Sequence, residues 1–356
     1  MDISQAKAIK TFSPRKVLIA IAIGLLATIW LFYYNLGDQK IEDVIQSLAN
    51  PNWYWFIAAI FVLMLRDAAY MYRIRNLTHH ELSIKGSIYT IFLWEFASAV
   101  TPSVVGGTAV AVFILAKEGI KFGKALAYVM LTAILDNAFF LIAAPLALFA
   151  TNSQIFEVLG ERNLFGLPLK VEVVFYISYA LIALYTLLMA YGLLLNPRSF
   201  KWFLLKLTTF RLLRKWRKLA YEQSSEMVLA SEQFNGVGKV YWLKAILSTI
   251  FVWSARYFML NCLISAFVTD SSITVQLDIF AKQIILWIVQ LLSPTPGGSG
   301  FAIYFLNILF HDNFHTKGFW LSIGLIWRIF TYYTYLVAGA IIFPRWLKRV
   351  SDHAQV

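Results

Sequence analysis

Five ionisable residues sit inside stretches that are otherwise apolar: Arg66, Glu95, Asp136, Arg256 and Arg328. Charge in a bilayer interior is costly, so such residues face protein or a watery cavity and count as functional candidates by default. Guanidinium forks match the geometry of phosphate oxygens, which makes Arg66 and Arg256 candidate ligands of an anionic head group. Glu95 and Asp136 then either balance those arginines or relay protons. The same residues also suit a plainer role as buried ion pairs holding a bundle together, for example Arg66 with Asp67 or Glu95. Lys244 and Lys282 lie near span ends, where long side chains snorkel to the interface.

A second source of chemistry is the backbone. Thr101-Pro102-Ser103-Val104-Val105-Gly106-Gly107 and Ser293-Pro294-Thr295-Pro296-Gly297-Gly298-Ser299-Gly300 interrupt apolar stretches and nearly repeat each other. Pro and Gly break helices, and lipid does not hydrogen-bond the backbone groups they free. A break at membrane depth therefore survives only within protein or beside a cavity. Paired breaks in two halves point to a transporter's binding site. If a second arm starts after each Gly-Gly, with Thr108 or Ser299 as N-cap, its free N–H groups suit an anion such as a lipid phosphate. Glycines that only let helices pack closely are the competing reading.

The elements that must position these groups follow from composition. Of 356 residues, 60% are hydrophobic and 14% charged. Soluble domains carry roughly 45–50% apolar and about 25% charged residues, so the chain belongs to an all-α integral membrane class. A span needs about 20 apolar residues, and 17–36, 53–72, 124–150, 171–195, 241–268 and 319–343 qualify. The arms beside the breaks, 87–100 with 107–116 and 279–292 with 299–310, are each too short to cross. The expected architecture is six full spans plus two re-entrant helical hairpins, with eight spans as the alternative.

Phe61-Val62-x-x-x-Arg66 returns as Phe251-Val252-x-x-x-Arg256 at an offset of 190 residues. The Gly pairs recur at 191, and Asp136 with Arg328 at 192. Since 53–72 and 241–268 are expected to run in opposite directions, these offsets indicate an inverted-topology repeat. Residues 1–150 form the first membrane repeat, 151–170 an external loop, 171–343 the second repeat, and 344–356 a tail.

The net charge of +12 is unevenly spread. Basic residues gather near 7–16, 73–85, 117–124, 196–240 and 345–349, which by the positive-inside rule places both termini in the cytoplasm. Within the basic insert 196–240, Trp202, Phe203, Phe210 and Trp216 interleave with Lys and Arg. That pattern fits helices on an anionic inner leaflet, and equally a plain cytoplasmic loop. Nucleic-acid binding is excluded by this distribution. One cysteine, Cys262, rules out a disulfide framework. His311-Asp312-x-x-His315 lacks further ligands, and no GxxxxGKS loop is present, so neither a metal nor another cofactor is expected.

Several of these motifs stand together in one known family. Thr101-Pro102…Gly106-Gly107, Lys117-Glu118-Gly119-Ile120, the Ala125…Asp136 span and Ser293-Pro294-Thr295-Pro296-Gly297-Gly298-x-Gly300 resemble the lysylphosphatidylglycerol synthase transmembrane-region, or flippase-like, family over about 15–345. The resemblance implies a region that moves a modified phospholipid between leaflets beside a separate soluble aminoacyl-transferase domain. No such domain is read here, so lysyl-lipid synthesis is not expected. Ile303 stands where many relatives carry a Glu, which departs from a proton-handling or cation-handling role at that place. The expected function is a flippase-like carrier of an anionic or lipid-linked substrate in a bacterial cytoplasmic membrane, with membrane lipids as partners. A membrane-embedded enzyme using Glu95 or Asp136 as acid or base, and a scaffold recruiting a partner through 196–240, are the alternatives.

Overall fold

The computed structural model describes residues 50–100, 104–151, 170–210, 213–268, 272–290 and 319–352, with isolated positions elsewhere. The expected span 17–36, the breaks Thr101 and Pro102, the whole second mark (Pro294, Pro296, Gly297, Gly298, Ser299, Gly300) and His311–His315 lie outside the described residues. Within them every regular element is helical, as apolar runs in lipid require, because a helix satisfies its own backbone.

The helices are α1 (Trp53–Leu77), α2 (Ile84–Val100), α3 (Val104–Lys117), α4 (Phe122–Ala150), α5 (Val171–Ala190), α6 (Pro197–Leu207), α7 (Arg217–Ser231), α8 (Lys239–Ser265), α9 (Ile273–Gln290), α10 (Phe319–Arg328) and α11 (Thr334–Asp352). A π-turn, Tyr191–Leu195, extends α5, and another, Ile329–Tyr333, joins α10 to α11. Six helices are long and apolar enough to cross a membrane: Trp53–Leu77, Phe122–Ala150, Val171–Leu195, Lys239–Ser265, Ile273–Gln290 and Ser322–Val350. Five of them coincide with expected spans. The sixth, α9, was expected as a short arm from 279; it starts six residues earlier, and 18 residues reach about 27 Å at 1.5 Å each.

Local signals explain several boundaries. The Asn52 side chain accepts the Tyr54 N–H at 3.1 Å and opens α1. The helix closes through His79 and His80, both left-handed at φ 50° and 62°, with their N–H groups returned to Asn76 and Arg75. Gly119, at φ 97°, ends α3 while the Ile120 N–H reaches back to the Leu115 carbonyl, a closing turn that favours glycine.

Packing orders these elements around α1. Helix α8 lies along its whole length and runs the opposite way: the Tyr241 hydroxyl donates to the Leu77 carbonyl, Arg73 meets Thr249, Arg256 meets Tyr70, and the Asn52 N–H donates to Ala266. The opposite directions expected for these two segments are thus present in the structure. Helices α2 and α3 pack side by side as a hairpin. Their closed end is fixed by Ser98 against Gly107, and their open ends by Gly86 against Glu118. Arms of 17 and 14 residues extend about 25 and 21 Å, short of the roughly 30 Å hydrocarbon core.

One feature of this hairpin differs from expectation. Helix α3 begins at Val104, so Gly106 and Gly107 lie in its first turns and Thr108 is inside the helix rather than its N-cap. A Cβ on Gly107 would sit 2.3 Å from Ser98 Oγ and 3.1 Å from Ser98 Cα, so this glycine lets the two arms touch. Helix α11 closes on the other face of α2. The Tyr332 hydroxyl donates to the Ala99 carbonyl, Gly339 faces Phe96, and Trp346 Nε1 donates to Glu118 at 2.6 Å, beside the Arg349–Glu118 ion pair.

At Gly339 an added Cβ would lie 2.2 Å from Phe96 Cγ. Gly339→Val is therefore expected to lower the thermal unfolding midpoint in detergent, at a cost of about 1–3 kcal/mol for overpacking. In a Phe96→Ala background, itself destabilised by about 3–5 kcal/mol, Gly339→Val should cost clearly less than it does alone. A variant with an unchanged midpoint would show that α2 and α11 are not in contact here.

Candidate functional site

The polar residues of the bundle interior stand on one stripe of α1. Arg66, Tyr70, Arg73 and Leu77 recur at helical spacing and face the same way. Along α1, apolar residues Ala59 and Leu63 belong to one buried cluster, and Tyr70, Ile74 and Leu77 to another; Arg66 falls between them. Asp136 holds the same boundary on α4, between Ile134 and Phe140. Arg66 and Asp136 thus form a layer near the middle of both spans, with Arg73 reaching it from two turns further along α1.

Their contacts make one connected chain. Arg66 is fully buried and its Nη2 donates to Glu95 Oε1 at 2.6 Å, with Asp67 Oδ1 3.3 Å from its Nε. The Tyr335 hydroxyl donates to Asp67 at 2.7 Å, tying α11 to the same point. Arg256 Nη1 donates to the Tyr70 hydroxyl at 3.2 Å and reaches Glu95 Oε1 at 3.5 Å. Tyr70 offers its ring to Arg66 and to Arg73, with guanidinium carbons 5.2 and 4.9 Å from its centroid. Arg73 donates to both oxygens of Asp136, at 2.5 and 3.4 Å, and Trp253 Nε1 donates to Asp136 at 2.8 Å. Glu95, five residues before the end of α2, therefore holds the closed end of the hairpin at the level of Arg66.

Two properties separate the arginines. Arg66 keeps Nε and Nη1 buried without a hydrogen-bond acceptor among the described residues. Arg256 is the more open and the more loosely held, with 28% of its side chain exposed. An open guanidinium beside a buried one with unused donors is an arrangement that accepts an oxyanion. Glu95 and Asp136 each accept from an arginine.

The family model for the lysylphosphatidylglycerol synthase TM region matches residues 17–339. The chain belongs to this family. It is a multi-pass membrane protein, and members of the family are often flippase-like. It is also similar to a UPF0104 membrane protein of Archaeoglobus fulgidus, 26% identical over 340 residues, covering 91% of this chain and 95% of that protein.

Of the residues singled out from sequence, the structure joins Arg66, Glu95 and Arg256 directly and Asp136 through Arg73 and Tyr70. Arg328 is buried, packed on Trp327 and Tyr332, and close enough to Arg256 for the two charges to interact. Gly106, Gly107 and half-buried Thr108 form the start of α3.

Two placements differ from expectation. Arg73 was grouped with loop basics because the span was drawn to 72; α1 continues to Leu77, and Arg73 is buried on Asp136. Lys282 does not snorkel. It is mid-helix in α9, 4% exposed, with Asp278 Oδ2 at 2.7 Å one turn earlier. Beside it, Gln283 donates to Asn261, which donates to Gln276, a buried amide network that sequence reasoning did not raise. Tyr70, Trp253 and Tyr335 were also missed as network members, whereas Asp67 and Glu95 are the partners of Arg66 that the sequence suggested. The signal available was the spacing Arg66-x-x-x-Tyr70-x-x-Arg73. A cavity of about 250 Å³ lined by 193–198 and by Val228, Ser231, Glu232 and Asn235 has none of the network residues in its wall.

Removing one partner of a buried ion pair costs about 3–5 kcal/mol when burial is complete. Asp136 keeps 20% of its side chain exposed, so Asp136→Asn should cost less than that, as read by chemical or thermal unfolding in detergent. Arg73→Gln should cost a similar amount, and the double variant clearly less than the two together. Strict additivity would show that the pair is not coupled.

Proposed function

We propose that this protein is a flippase-like carrier of an anionic or lipid-linked substrate, with Arg256 receiving the head group. One observation carries the reading: Arg256, partly open, shares Glu95 with a buried Arg66 that still has unused donors. A phosphate oxygen approaching Arg256 would replace the 3.5 Å contact to Glu95, the weakest link of the chain. Glu95 would remain bonded to Arg66, so no carboxylate is left unpaired.

The start of α3 supports the same reading. A helix leaves the N–H groups of its first turn, here those of Val104 to Gly106, without intrahelical acceptors, and they lie at the closed end of the hairpin. The second mark, Gly297-Gly298-Ser299-Gly300 with its prolines, would supply the corresponding backbone from the other half. Rocking between the two inverted halves would then expose the head group to each leaflet in turn. The membrane in question would be the cytoplasmic one, with both termini inside.

The test is leaflet exchange in proteoliposomes carrying fluorescent phospholipids or polyprenyl phosphates. Exchange above protein-free vesicles is expected for at least one anionic lipid. Arg256→Gln should slow it roughly tenfold or more, as loss of a charge-assisted hydrogen bond of about 1.5–3 kcal/mol implies. Arg256→Lys should retain an intermediate rate because a point charge replaces the fork. No exchange across the panel, or full activity in Arg256→Gln, contradicts the proposal.

A further inference from the structure

The segment after α5 has features that head-group transport does not use. Residues 196–218 contain eight Lys and Arg and no Asp or Glu. Helix α6 starts at Pro197, two residues past Leu195, where the third of the six membrane-length helices, Val171–Leu195, comes to its end. The Asn196 side chain accepts the Ser199 N–H at 3.1 Å and turns the chain directly from span into helix. The helix therefore begins at the membrane boundary.

Its faces are clearly divided. Phe200 is buried and Leu204 partly so, packed on the apolar cluster that also holds Ala125 and Tyr128. The remaining surface carries Trp202, 62% exposed, with Phe203, Lys206 and, just beyond the helix, Phe210. Lys206 Nζ lies 4.6 Å from the Trp202 ring centroid, and Lys215 Nζ 4.7 Å from that of exposed Trp216. Each of these two exposed rings thus has an ammonium group beside it. Water is a poor match for such a face. A lipid boundary suits it, with rings between acyl chains and head groups and cations at the phosphates.

We propose that residues 197–210 and 213–216 lie in the plane of the membrane on anionic lipid head groups, anchoring the bundle to that leaflet. The occupant is argued from charge, from the exposed rings and from continuity with the end of α5. The inference stands independently of which substrate the interior arginines take.

The native cysteine, Cys262, is buried, so a nitroxide on Phe210→Cys reports this segment in the full-length chain. The probe is power-saturation EPR in nanodiscs of phosphatidylcholine with or without phosphatidylglycerol. With phosphatidylglycerol present, the ratio of oxygen to nickel-chelate accessibility should rise severalfold. Neutralising Arg198, Lys206 and Lys215 to Gln should abolish the rise while leaving the spectrum in phosphatidylcholine unchanged. A label equally open to water in both discs, as a solvated loop or a soluble protein partner would give, overturns the proposal. A rise that persists in the neutralised variant overturns it as well.

Discussion

A charge buried within a membrane span has to be met by another charge, and α1 carries two of them on one stripe. Arg66 and Arg73 draw in Glu95 from α2, Asp136 from α4 and, through Tyr70, Arg256 from α8. Asp67 adds the Tyr335 hydroxyl from α11. Lipid offers no substitute partner, so these bonds dictate which helices surround α1 and at what height. The apolar clusters above and below the layer add dispersion and close packing, but chemically similar apolar surfaces do not specify register by themselves.

The hairpin follows from that layer. Glu95 meets Arg66 five residues before α2 ends at Val100, and Gly107 allows α3 to return against Ser98. The open end is held separately, by Glu118 accepting from Trp346 and Arg349 of α11. One carboxylate at each end of the hairpin thus ties it to a neighbouring helix. The same Glu95 joins a buried arginine to a partly open one, which links the scaffold to the proposed anion site.

Much of this was legible in the sequence, for a definite reason. Apolar length located the spans around 53–77, 122–150, 171–195, 239–265 and 322–350. The rarity of charge within such runs picked out Arg66, Glu95, Asp136 and Arg256 before any partner was known. Partners were harder to read: Arg73 and Asp136 are 63 residues apart and Tyr70 and Arg256 are 186 apart, distances that local pattern does not bridge. Arg73 and Lys282 show the other failure. A charge within a turn or two of a hydropathy boundary reads as loop or as snorkelling, and only the true helix ends reveal it as buried. The start of α3 was misplaced because Gly-Gly was taken for the break, whereas it supplies close packing inside the first turns.

The account rests on Glu95 bridging Arg66 and Arg256 at the closed end of a hairpin within the bilayer. An experimental structure in nanodiscs with an anionic lipid tests this most directly. The account predicts α2 and α3 turning back near the bilayer midplane, with head-group density in hydrogen-bonding reach of Arg256. Helices α2 and α3 crossing the membrane in full, or Arg256 enclosed by protein with lipid phosphates only at the two surfaces, would contradict it.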